Sequence, residues 1–263
     1  MKNIDSDLHL TGQSVYIDDV SVPDDCLFAQ VYYAPVAHAK NLILDLKDAR
    51  ASEGVVCILT DQDIPGENQI GGIIPDEPLL GEHGEVHFWG QPQAIVVARS
   101  ERLASLAVEK IKATFESLDA VICPKVAHQK KSYLIPPDTF ERGSSQVWKD
   151  CEWIVEGEAS SGGQEHLYLE PQGALAVWKE DGGLHVISST QGPTAVQRSI
   201  AKVLNYPMHK IEVDVKRLGG GFGGKEDGAK IKSPSKSRTL ASKDLEFLSP
   251  SSNCRIYDGG WKT

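Results

Sequence analysis

Apolar and polar positions follow one another along this chain in two rhythms. Val55-Val56-Cys57-Ile58-Leu59-Thr60 and Gln93-Ala94-Ile95-Val96-Val97-Ala98 are short apolar runs, which predicts two buried strands. After the second run Ser100 stands at a helix-cap position, with Glu101 in the first turn, where the helix dipole favours an acid. Leu103, Ala107, Val108, Ile111 and Phe115 then share one helical face. That spacing predicts a helix of about 16 residues, packed on the sheet, with Lys110, Lys112 and Glu116 in solvent. Trp153-Ile154-Val155, Ala174–Trp178 and Leu184–Ser188 read as three more strands, the last two joined by a turn at Glu180-Asp181-Gly182-Gly183.

The stretch from Gln191 to Val215 has an order of its own. Pro193 suits the first helical position, because the N–H it lacks would be unpaired there. Val196, Ile200, Val203 and Leu204 make one apolar face, and Asn205 and Pro207 end the helix. Ile211, Val213 and Val215 alternate with Glu212, Asp214 and Lys216, which predicts a strand. Strand, helix and strand form a β-α-β unit. If its strands are parallel, Gln191 and the residues after Val215 open on the same sheet edge, a natural ligand crevice. The fold class expected is α/β, with helices and strands mixed.

Composition narrows the setting. A chain of 263 residues that is 40% hydrophobic can hold two modest domains. Its net charge of −10 argues against a nucleic-acid binder, which needs a basic face to displace counterions. No apolar run reaches membrane-span length, and Met1-Lys2-Asn3-Ile4-Asp5-Ser6-Asp7 lacks the apolar core of a signal peptide. A cytoplasmic protein without a membrane partner is expected. Cys26, Cys57, Cys123, Cys151 and Cys254 are scattered with no C-x-x-C pair, so they are read as reduced and mostly buried rather than as iron–sulfur or zinc ligands. Between about Asp119 and Ser145, Pro124, Pro136, Pro137, Gly143 and the Lys130-Lys131 pair break any periodicity, so this stretch reads as a crossing segment.

The chemistry concentrates in Lys216-Arg217-Leu218-Gly219-Gly220-Gly221-Phe222-Gly223-Gly224-Lys225-Glu226, a glycine loop delivered by a strand. Glycine lets the backbone approach a neighbour closely, and successive N–H groups in such a turn form a concavity for anionic or strongly polar oxygen. Gly219-x-Gly221-x-x-Gly224 meets the dinucleotide spacing and Gly219-x4-Gly224-Lys225 nearly meets the P-loop spacing. The P-loop needs Ser or Thr where this chain has Glu226, and the stretch after Glu226 shows no helical periodicity. His83-x-Glu85-x-His87 could place three ligands on one face of a strand but lacks a fourth, and reads as a polar strand or loop. Glu165-His166 with Glu170 could suggest acid–base chemistry. No Gly-x-Ser-x-Gly occurs, and no Cys/His pairing points to a protease.

Three stretches taken together are more specific. Gly162-Gly163-Gln164-Glu165-His166-Leu167-Tyr168-Leu169-Glu170, Ser189-Thr190-Gln191-Gly192-Pro193-Thr194 and the Lys216–Glu226 loop resemble, in order and spacing, the molybdopterin-binding part of the xanthine dehydrogenase/aldehyde oxidase family. Thr11-Gly12-Gln13-Ser14-Val15-Tyr16-Ile17-Asp18-Asp19 resembles the entry to that family's preceding domain. The resemblance runs from about Leu10 to about Lys230. It implies a hammerhead-like α/β domain over 10–122, a linker over 123–150 and the first portion of a molybdenum-cofactor domain over 151–230. It implies oxidative hydroxylation of a purine such as xanthine or hypoxanthine. The electrons would pass to 2Fe–2S clusters and FAD carried by partner chains, in assemblies that are often dimers. By the same resemblance the Gln191 amide hydrogen-bonds an oxygen ligand of molybdenum. Phe222 and Gly223, beside Gly221, approach the metal centre, where a backbone N–H donates to a cofactor oxygen. None of these residues ligates the metal directly, and the resemblance implies that the stretch with Glu165, His166 and Glu170 is a structural element near the active site whose polar groups are buried and hydrogen-bonded. Glu226 matches the glutamate that hydrogen-bonds a heterocyclic substrate, where aldehyde oxidases carry an aliphatic residue.

The resemblance stops after about Lys230. The family's base glutamate, its substrate-binding arginine and its aromatic pair belong to the part that follows, so no catalytic residue is assigned here. Residues 231–263 hold seven serines in 33 positions, and the change of composition is read as a frameshifted or prematurely ended frame, against a flexible tail. The expectation is therefore a fragment that is inactive alone. The alternative is a non-catalytic α/β protein that binds a nucleotide or other anion at Gly219–Gly224.

Overall fold

The computed structural model describes residues 5–72, 74–164 and 166–226, and the backbone of residues 239–241. The chain divides into two compact units, Met1–Leu118 with His166–Thr263, and Asp119–Glu165.

The first unit is a mixed α/β structure. Its strands are β1 (Leu27–Tyr33), β2 (Ala39–Asp45), β3 (Val55–Leu59), β4 (Pro92–Ala98), β5 (Lys112–Ser117), β6 (Ala174–Trp178), β7 (Leu184–Ser188), β8 (Ile211–Asp214) and β9 (Thr239–Ala241). Seven of them form one sheet in the order β3-β4-β1-β9-β6-β7-β8, and β2 pairs with β5 in a second. Helices α1 (Ser6–Leu10), α2 (Lys47–Arg50) and α3 (Glu101–Val108) precede α4 (Pro124–Gln129) of the other unit, and α5 (Pro193–Val203) lies between β7 and β8. Apart from 239–241, the tail read as aberrant or flexible lies outside the described residues.

The apolar runs at 55–60 and 93–98 are β3 and β4, paired antiparallel. β4 is buried on both faces. Ala94 and Val96 pack with Ile58, Ala107 and Ile111 on one side, while Val97 packs with Leu27, Cys57 and Leu59 on the other. Ser100 caps α3 as its position predicts, its Oγ accepting from Leu103 N at 3.2 Å.

The helix after Ser100 is half the expected length. It ends at Val108, and Lys112–Ser117 form β5, antiparallel to β2 from Asp45↔Lys112 to Ala39↔Ser117. Residues 112–117 alternate in the strand period and include Thr114 and Phe115, both favourable in a sheet, and β2 needs an edge partner. Ile111 satisfies the helical spacing and still packs in the core from the turn that follows the helix. Phe115, expected on the buried helical face, is exposed on β5.

β6 and β7 form a hairpin with Ala174↔Ser188 and Trp178↔Leu184 as its outer pairs. Gly182 takes φ +77° in the connecting turn, and Gly183 N donates to Asp181 Oδ1 at 2.8 Å. α5 lays Ile200, Ala201 and Leu204 on Leu184, Val186 and Ile211. Asn205, just past its end, adopts φ +48° and turns the chain toward β8. The last carbonyls of α5 are capped from far away in sequence: Gly66 N donates to Val203 O at 2.9 Å and Glu67 N to Lys202 O at 3.0 Å.

The second unit holds α4 and a 3-10 turn over Ser145–Asp150. Trp153–Val155, expected as a strand, is not one. No described strand pairs with it, and Trp153 and Val155 are 83% and 96% exposed.

Candidate functional site

β7 and β8 are parallel, in register from Leu184↔Ile211 to Ile187↔Asp214. The chain leaves both strands at the same edge, so Gln191 meets the glycine loop there. Gln191 Oε1 accepts from Gly223 N at 3.0 Å and from Lys225 N at 3.2 Å, and Gln191 N donates to Lys225 O at 2.9 Å. Both groups facing the side-chain oxygen are donors, which fixes the amide: its carbonyl faces the loop and its NH2 faces away. The amide does not cap α5. Gly192 holds the N-cap position without a side-chain bond, and Thr190 Oγ1 accepts from Gly192 N at 3.0 Å.

The loop glycines are required by close approach. A Cβ on Gly221 would stand 2.5 Å from Gln191 Oε1, one on Gly219 2.5 Å from Glu170 Cβ, and one on Gly224 2.9 Å from a Tyr168 ring carbon. Gly224 N donates to Gly221 O at 2.7 Å and Glu226 N to Gly223 O at 3.3 Å, which closes the turn. The concavity expected to take an anion therefore receives an oxygen of the protein itself, that of Gln191. Gly223 N–H points into that bond rather than outward. Phe222 sits in the left-handed region at φ +49° with its ring 75% exposed. Glu226 is exposed beyond Lys225, its carbonyl oxygen 4.0 Å from where a Cβ of Gly192 would lie. The fold thus brings Gln191, Gly221, Phe222, Gly223 and Glu226 to one edge.

Beneath the loop lies a layer that the sequence reading mostly missed. Lys225 is fully buried, its Nζ donating to Glu170 Oε2 at 2.9 Å and lying 4.8 Å from the centre of the Tyr168 ring. The same Glu170 oxygen accepts from Gly219 N at 2.7 Å, and Glu170 Oε1 accepts from Ile17 N at 3.3 Å. Gln172 Nε2 donates to the Tyr168 hydroxyl at 3.0 Å and to Gly224 O at 3.2 Å. Glu170 is buried and hydrogen-bonded as expected, but His166, expected to be buried with it, is exposed, its ring beside Gly224. Glu165 lies outside the described residues. The available signal for Lys225 was its place at the end of a run without side chains, which reads equally well as a phosphate-binding lysine.

The remaining candidates form no ligand set among the described residues. His83 and Gly84 take positive φ in a loop, and His87 Nε2 lies 3.5 Å from a Glu85 oxygen. Among the described residues no group of His, Cys, Asp or Glu could hold a metal ion. Cys26 and Cys57 are buried, but Cys123 and Cys151 are exposed, contrary to the expectation of mostly buried thiols. Burial, with Asp25 nearby, pushes the Cys26 thiol up, which keeps it protonated and inert. Among the described residues no helix is long and apolar enough to cross a membrane.

The donor set at the sheet edge fits a polarised oxygen of a bound group. An uncharged NH2 is held in one orientation beside a glycine-rich backbone, and the Glu170 carboxylate beneath the loop is engaged by Gly219 N, Lys225 Nζ and Ile17 N. Residues 11–119 match the aldehyde oxidase and xanthine dehydrogenase a/b hammerhead domain, and residues 127–234 match the molybdopterin cofactor-binding domain. The chain is similar to xanthine dehydrogenase 1 of Arabidopsis thaliana, with 41% identity over 83% of this chain and 16% of that protein. It is similar to aldehyde oxidase 2 of Macaca fascicularis, with 40% identity over 82% of this chain and 16% of that protein. The chain therefore spans about a sixth of the length of these relatives. Among solved structures, the aldehyde oxidoreductase of Desulfovibrio gigas superposes with a TM-score of 0.76 at 25% identity, covering 91% of this chain and 29% of that one.

Proposed function

Because this chain belongs to the xanthine dehydrogenase/aldehyde oxidase family and carries its hammerhead and molybdopterin cofactor-binding domains, we propose that it supplies part of the molybdenum pocket of a purine-oxidising hydroxylase. The observation that carries this reading is the Gln191 amide, anchored by Gly223 N and Lys225 N so that its NH2 remains available to an oxygen of the cofactor. Gly221 and Gly223 keep the approach free of side chains, and Phe222 presents its ring at the same edge. When bound, the molybdenum–pterin group supplies the two-electron redox chemistry. The residues here orient it and hold it by donation without adding charge.

Substrate class rests on Glu226. Overall identity does not separate the two branches, since a xanthine dehydrogenase and an aldehyde oxidase match at 41% and 40%. Glu226 is exposed directly after Lys225, whose N–H bonds Gln191, and a carboxylate there accepts from the ring N–H groups of a purine, which an aliphatic residue cannot do. The reading includes iron–sulfur and FAD-binding partner chains and a cytoplasmic location. It assigns 10–122 to the first domain and 151–230 to the partial cofactor domain.

The test is metal and pterin analysis of the purified chain after expression in a cell that makes the cofactor. Gln191→Glu keeps an oxygen for both loop N–H groups and removes the NH2. It should leave the denaturation midpoint unchanged and strip molybdenum and pterin from the protein. Equal loading of parent and variant would sink the assignment of Gln191. Xanthine-dependent reduction of NAD or a dye by the chain alone would overturn the reading of it as inactive.

A further inference from the structure

We propose that Glu170 and Lys225 are positioning residues that lock the glycine loop, and through it the Gln191 amide, in one geometry. The part of this that concerns a ligand rests on the cofactor reading above; the lock itself rests on the geometry alone. A single carboxylate oxygen, Glu170 Oε2, accepts from both ends of the loop: Gly219 N at 2.7 Å and Lys225 Nζ at 2.9 Å. The other oxygen, Oε1, accepts from Ile17 N at 3.3 Å, which ties the carboxylate to the segment ahead of β1. The segment from Gly219 to Lys225 is thereby closed on one buried atom.

Lys225 then transmits that closure. Its backbone N–H donates to Gln191 Oε1, and its carbonyl accepts from Gln191 N at 2.9 Å and from Thr190 Oγ1 at 3.1 Å. Any shift of Lys225 moves the amide that it holds. Tyr168 fills the space under Nζ, and Gln172 binds both the Tyr168 hydroxyl and Gly224 O, so the lysine has one place to sit. A buried ion pair is poor evidence of stability, because removing two charges from water offsets most of their attraction. What this pair adds is geometry.

That distinction gives the experiment. In the full chain, Lys225→Met and Glu170→Gln each leave one buried group without its charged partner, and each should lower the denaturation midpoint. The double variant is neutral, and its glutamine still offers an oxygen to Gly219 N. It should return the midpoint to near the parent value while the lock stays broken. Hydrogen exchange, resolved by residue, then reads the loop. In the double variant the backbone amides of Gln191 and position 225 should exchange roughly tenfold faster, the loss of about one hydrogen bond's protection, while those of β6 and β7 keep the parent rate. Parent-like exchange at both loop positions overturns the proposal. So does faster exchange that merely parallels β6 and β7, which marks a structural role alone. No cofactor enters this measurement. A chain that passes it but never carries molybdenum keeps the lock and loses the cofactor reading; a loaded parent whose loop fails it does the reverse.

Discussion

Replacing Gly221 by alanine isolates the contact between loop and amide. The Cβ would stand 2.5 Å from Gln191 Oε1, 2.7 Å from Cδ and 3.0 Å from Cγ, so all three of its nearest neighbours belong to one side chain. Gly221 is not at a positive φ, so the backbone accepts alanine without strain. Gln191 must swing away and give up its bonds from Gly223 N and Lys225 N, a loss of about 2 kcal/mol at roughly 1 kcal/mol each. The smaller conformational freedom of alanine in the unfolded chain returns about 0.4–1 kcal/mol. The net cost expected for Gly221→Ala is therefore about 1–1.5 kcal/mol. In a Gln191→Ala background the obstructing side chain is gone, and the same substitution should be neutral or slightly stabilising. Denaturant unfolding of the parent, both single variants and the double variant closes the cycle, with a coupling of about 2 kcal/mol expected. Equal costs of Gly221→Ala in both backgrounds would refute the reasoning.

Three other outcomes follow from the fold. A Cβ on Gly66 would lie 2.0 Å from Lys202 O, so Gly66→Ala should withdraw the cap from the end of α5. The cost is about 2 kcal/mol for two bonds, with faster hydrogen exchange at the C-terminal end of α5 but not in α3. Ser100→Ala should lower stability by about 1 kcal/mol, measured as a shift of the denaturation midpoint at constant m-value. The last concerns pH. Hydrogen bonding from Lys112 holds the Asp48 carboxyl below its ordinary value, and Lys179 does the same for Glu212. A depressed carboxylate contributes stability above its unfolded pKa, about 4 here, and loses it as pH falls through the lower folded value. The stability difference between the parent and Lys112→Ala should therefore be small, vanish in acid below that window, and shrink with added salt, since the pair is exposed. A difference that survives strong acid would mean Lys112 acts through packing instead.

Much of this architecture is legible from periodicity where a segment obeys one rhythm only. β3, β4, β6, β7, α5 and β8 are of that kind, and the order of the last three places Gln191 beside the loop before any coordinates are consulted. Residues 103–115 obey two rhythms at once. Leu103, Ala107 and Ile111 satisfy a helix, while 112–117 alternate, and only the need of β2 for a partner decides. β1 and β2 went unread, although Val31, Tyr32 and Tyr33 carry the β-branched and aromatic bias of a strand. Trp153-Ile154-Val155 has strand composition, but no described strand pairs with it. The Glu170–Lys225 pair was invisible for a different reason: its members are 55 residues apart, and neither the carboxylate read as buried nor the loop lysine names the other as its partner.

The tie between the N-terminal segment and the glycine loop bears on the order in which the chain acquires its structure. Asp5 Oδ1 meets Arg217 Nη2 at 2.7 Å across 212 positions, and Ile17 N meets Glu170 across 153. Ile17 and Val20 also pack against Leu175 and Ile187. On a ribosome adding roughly 5–20 residues per second, about 10–40 s separate the synthesis of Asp5 from that of Arg217. Glu170, Leu175 and Ile187 are made before Arg217 but still more than 150 residues after Ile17, and contacts of such long range form slowly in any case. Of the two segments, the one made earlier stays unlocked until the loop that holds it exists, so a chaperone that holds residues 5–20 during synthesis would raise the yield more than one acting after the loop is complete.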